Sequence, residues 1–119
     1  METDEVIALL DKHKYIVESY VLVRELEIFL NVGVDDFHPK IRIKIWKSSV
    51  NSREPFHFTV SHNVHTPTQF DPYYPSVTQA VTESQAIHSA ISAITKFLVS
   101  AIDGGHEPSD DWLVPNKHF

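Results

Sequence analysis

The chain contains no cysteine. Disulfides, thiolate nucleophiles and zinc–thiolate centres are excluded together, and a small domain without disulfides leans toward a reducing compartment. Glycine is almost as scarce, three residues in 119. A glycine-rich phosphate cradle, whose backbone must approach its ligand closely, can hardly be built from so few. Basic residues number ten against sixteen acidic ones, a formal charge of −6. Binding to a phosphate backbone draws much of its affinity from a basic face, so nucleic acid is not an expected partner. Long apolar runs are missing as well. The most apolar, AIHSAISAITKFLVSAI, carries His88, Lys96 and four hydroxyl side chains, too polar for a membrane span. The opening METDEVIALLDKHKY mixes acids and bases and holds no signal-peptide core. A soluble, cytoplasmic protein is expected, with no membrane partner.

What remains is ordinary globular material: 42% hydrophobic residues in a length that suits one domain, residues 1–119. Thr3 or Asp4 caps a first helix whose stripe is Val6, Ile7, Leu9, Leu10, Ile16 and Val17. From Arg24 to Val32, Leu26, Ile28, Leu30 and Val32 alternate with Glu25, Glu27, Phe29 and Asn31, the period of a strand. No Gly or Pro marks the boundary between the two in KYIVESYVLVR. KIRIKIW alternates again, with Ile41, Ile43 and Ile45 inward and Arg42, Lys44 and Trp46 outward. FHFTVSHNVH continues as a third strand, with His57, Thr59, Ser61, Asn63 and His65 on the polar side. Thr82-x-x-Gln85 opens a long second helix with an apolar stripe from Ile87 to Ile102, closed by Gly104-Gly105. Residues 103–119 form an extended arm around a Trp112-Leu113-Val114 anchor. The expected fold is a two-layer α+β domain, in which a three-stranded antiparallel meander has one face covered by the second helix.

This α-β-β-β-α order resembles the double-stranded RNA-binding domain over residues 4–102, at the level of topology. The resemblance would imply a lysine cluster at the start of the second helix. The matching positions read VTESQAIH, which is acidic, so the RNA function is not carried over.

The richest chemistry lies in SHNVHTPTQFDPYYPS, residues 61–76. On a strand, His62 and His65 point to opposite faces and cannot chelate one ion together. His57 and His65 share a face but stand roughly 26 Å apart at about 3.3 Å per residue. Neither imidazole reaches Ser61 as a base. No metal and no cofactor is expected. Proline presets the loop backbone, so Gln69, Phe70, Tyr73 and Tyr74 can form an ordered aromatic rim. Arg42, Trp46, His57, Ser61 and His65 join it from the polar sheet face. Together they suggest a non-enzymatic binding protein, an inhibitor or sequestering protein among the options, that recognises a protein partner or a small polar ligand. An open strand edge makes a homo-oligomer plausible. The opposing reading is a small histidine-dependent or metal-assisted hydrolase using His57, His62, His65 or His106.

Overall fold

The computed structural model describes residues 1–119. Helix α1 (Thr3–Asp11) is followed by strands β1 (Tyr20–Phe29), β2 (Lys40–Ser48), β3 (Phe56–Val60), β4 (His62–Val64) and β5 (Gln79–Ala80). Helix α2 (Glu83–Asp103), a short 3₁₀ turn (Asp110–Trp112) and strand β6 (Leu113–Pro115) complete it. The architecture is the expected α+β class, with α2 packed on one face of an antiparallel sheet.

The sheet differs from a three-stranded meander in two ways. Its order is β1-β2-β3-β5, and β4 leaves it to pair with β6 in a separate ribbon. The third strand is therefore not continuous from Phe56 to His65. It breaks at Ser61, whose N–H donates to the Arg42 carbonyl at 2.9 Å while its hydroxyl accepts the Arg42 N–H at 2.7 Å. A side chain takes the place of a backbone group there, and beyond it the alternation of buried and exposed residues is lost, with Asn63 and Val64 both buried.

β1 begins at Tyr20, four residues ahead of the expected Arg24, and ends at Phe29. An irregularity between Leu22 and Arg24 leaves Val23 as the extra residue. A bulge of this kind inverts the alternation, which hides the strand from a period-two reading. α1 also departs from expectation. Glu2 is its N-cap, Thr3 is already helical, and no side chain caps it. Turns closed by the N–H groups of His13 and Ile16 end the helix before its stripe reaches Ile16 and Val17, and Val17 is fully exposed.

α2 matches its signals closely. The Thr82 hydroxyl accepts the Gln85 N–H at 3.1 Å, and the Gln85 side chain reaches back to the Val81 N–H at 3.2 Å. At the far end Gly105 takes φ +91°, and the N–H groups of His106 and Gly105 close onto the carbonyls of Ala101 and Ile102. That is a Schellman stop, and its left-handed position suits glycine. By length and composition α2 could cross a membrane. Here its stripe of Ala86, Ala90, Ala93, Ile94, Leu98 and Ala101 is buried against Ile41, Ile43, Ile45, Phe58 and Val60. The small alanines let the helix lie close over the bulky strand residues, and this layer is the core.

The arm is not loose. Trp112 is buried in the same cluster, beside Phe37 edge-on at 6.4 Å. β6 lies along β4, and the Asn116 side chain donates to the Val60 carbonyl at 2.8 Å.

Candidate functional site

Pairing register assigns every residue of the sheet to a face. Leu22 opposes Trp46, Glu25 opposes Lys44 and Glu27 opposes Arg42, while Trp46 opposes His57 and Lys44 opposes Thr59. These side chains project away from α2, and no helix lies over them. Arg42, Trp46, His57 and Ser61 are thus brought to one surface, as their alternation indicates.

The surface has an aromatic end and a charged end. The Trp46 and His57 rings stack at 6.2 Å and 12° between planes. Tyr20 meets His57 edge-on at 5.9 Å, and the indole N–H donates to the Thr59 hydroxyl at 3.3 Å. Partial burial in this stack penalises the imidazolium and holds the His57 pKa below the usual histidine range. Toward the other end the Arg42 guanidinium donates to Glu25 at 2.8 Å. The Phe119 ring lies 4.2 Å from the Lys44 ammonium and 5.4 Å from the Arg42 guanidinium carbon. Cations on aromatic faces are attracted by the ring quadrupole, so the last residue is held on the sheet.

The loop divides the remaining candidates. Gln69 is a structural staple: its carbonyl oxygen accepts the Thr66 N–H at 2.8 Å and its amide donates to the Val64 carbonyl at 3.0 Å. The His65 ring donates to the Gln69 carbonyl at 3.2 Å. Tyr73 turns inward against Phe97, 4.8 Å between ring centroids, with the Lys96 ammonium 4.2 Å from its ring. Its N–H also donates to Val64. Phe70 and Tyr74 are exposed, but Tyr74 borders a groove with Asn63, Val114 and Asn116 and does not touch the aromatic stack. His65, Gln69 and Tyr73 therefore hold the crossover together, and the loop and the sheet face do not form one continuous rim.

At the Ser61 break the hydroxyl also contacts Nδ1 of His62 at 2.7 Å. The same oxygen accepts the Arg42 N–H, and burial lowers the pKa of the His62 imidazole. The neighbour His62, not His57 or His65, is the base within reach. No protein group engages its far nitrogen, so the orienting third member of a nucleophilic triad is missing. No three histidine, aspartate or glutamate side chains converge on a common point.

Sequence reasoning missed Tyr20 and Leu22, which the bulge disguised, and Phe119, which nothing short of the folded arm brings to Lys44. The Ser61–His62 contact follows from a strand break that lacks Gly or Pro. No family model, curated protein or solved structure matches the chain.

Proposed function

We propose that this chain is a non-catalytic binding protein, and that the uncovered sheet face engages a protein partner. The observation that carries the reading is the Tyr20–His57–Trp46 group on a face no helix protects, flanked by Leu22, which opposes Trp46 and is 44% exposed. Aromatic centres with charged margins are the composition that concentrates binding energy at interfaces. The recess beside the stack, lined by Tyr20, Ser48, Glu54, His57 and Gln79, holds about 230 Å³. That is below the roughly 300–1,000 Å³ of ordinary small-molecule sites, so this recess suits a side chain of a partner protein. Masking a partner's surface, as an inhibitor or sequestering protein does, needs nothing beyond such a face. The lack of cysteine suits work in the cytoplasm.

Affinity capture from cells of origin, with the wild-type chain and Trp46→Ala in parallel, tests this. A partner retained in stoichiometric amount by the wild type and lost from a folded Trp46→Ala protein is the expected result. Equal capture by both would move the binding surface elsewhere.

A further inference from the structure

β1 lies at the edge of the sheet, and only β2 pairs with it. The Leu30 N–H donates to the Pro39 carbonyl at 2.9 Å, on the β2 side. Backbone direction alternates along a strand, so Ile28, Leu26 and Arg24 also face β2, while Phe29, Glu27 and Glu25 present N–H and carbonyl outward. The outward-facing Arg42 contacts to Ser61 agree, since they leave Ile41 and Ile43 turned toward β1. No turn, loop or cap hydrogen bond uses the backbone of residues 20–29. Three consecutive outward residues with unused donors and acceptors make a ready template for another strand.

Charge says which strand. Beside this edge the outer face carries Glu25 and Glu27, and the inner face carries half-buried Leu26 and Ile28. β2 satisfies the opposite side of the same residues with KIRIKIW, setting Lys44 and Arg42 against the two acids and Ile43 and Ile41 against the apolar pair. A second copy of this chain, added through its own β1, would instead set its acids beside Glu25 and Glu27. Like charges directly opposite are destabilising, and each chain already carries −6. We propose that the β1 edge accepts an extended segment of a partner protein in which Lys or Arg alternates with β-branched apolar residues, joining the sheet as a fifth strand. This surface is separate from the aromatic stack and does not depend on it.

The probe is a capped, dye-labelled peptide with the sequence of Lys40–Ser48, read by fluorescence anisotropy against the whole chain. Saturable binding is expected, at least tenfold tighter than for a peptide of equal composition with its basic and apolar residues segregated. Glu27→Pro removes an N–H the fold does not use, which an edge strand tolerates, and should weaken binding at least tenfold. Glu27→Lys, which leaves the backbone intact, should weaken it similarly and keeps the test valid if the proline variant fails to fold. Trp46→Ala should leave the peptide affinity unchanged. Equal binding of both peptides, or indifference to both Glu27 variants, would overturn the proposal. So would a wild-type dimer in sedimentation that Glu27→Lys turns into monomer, because the edge would then belong to a second copy.

Discussion

The two sides of one sheet, one residue apart along β2, have opposite fates. Ile41, Ile43 and Ile45 are completely buried beneath α2, whereas Arg42 is exposed and Lys44 and Trp46 are only partly covered by neighbouring side chains and Phe119. Alternation assigns residues to sides with equal clarity in both cases. Which side becomes a core is decided by the element that arrives to cover it, here the alanine-lined stripe of α2. The outer side received no such element, so its aromatics stack on one another and its charges pair across strands. Stability should therefore reside on one side and recognition on the other.

The largest expected effect tests the covered side. Ile43→Ala should lower unfolding free energy by about 2–5 kcal/mol in a denaturant titration, since the site is fully buried. A loss under half a kilocalorie would break the comparison. Tyr73→Ala should cost about 1–3 kcal/mol, because its ring packs on Phe97 within the covered layer. Trp46→Ala should show the reverse pattern. Partner binding should weaken more than tenfold, about 1.4 kcal/mol, while thermal denaturation shifts by less than for Tyr73→Ala.

A smaller effect follows from pH. His57 and His62 are both held below the ordinary histidine value by burial. In the unfolded chain they titrate near about 6.5. Their neutral forms thus favour the fold fully above that value, and the contribution is lost as pH falls through the lowered folded values. The Tm should be lower at pH 5.5 than at pH 7.5, and the double variant His57→Gln, His62→Gln should narrow that difference. The smallest effect is expected for Tyr74→Ala, within about 0.5 kcal/mol, because the ring is largely solvated. A destabilisation matching that of Tyr73→Ala would show that the loop packs as one unit.

Elements with an uninterrupted period were legible from sequence. α2 announces its start with Thr82 and Gln85 and its stop with Gly105, and β2 places each residue by strict alternation. Illegible features share a cause: a local inversion with no Gly or Pro to mark it. Val23 shifts the parity of β1, and Ser61 ends β3 by lending a hydroxyl to Arg42 in place of a backbone group. Of the candidate site, the sheet residues Arg42, Trp46, His57 and Ser61 were readable because alternation carries orientation. The loop residues were not. In a proline-rich crossover side-chain direction depends on tertiary partners, and so Tyr73 could not be told from Tyr74.

The pairing of β4 with β6 also bears on how the protein is born. β4 leaves the ribosome well before α2, and Trp112 and β6 follow after it. At roughly 5–20 residues per second, the nascent chain spends several seconds with the seat of Trp112 empty and the backbone of Asn63 without its mate. During that interval the half-built domain offers apolar surface to chaperones and proteases, and stalled translation after α2 would leave it there.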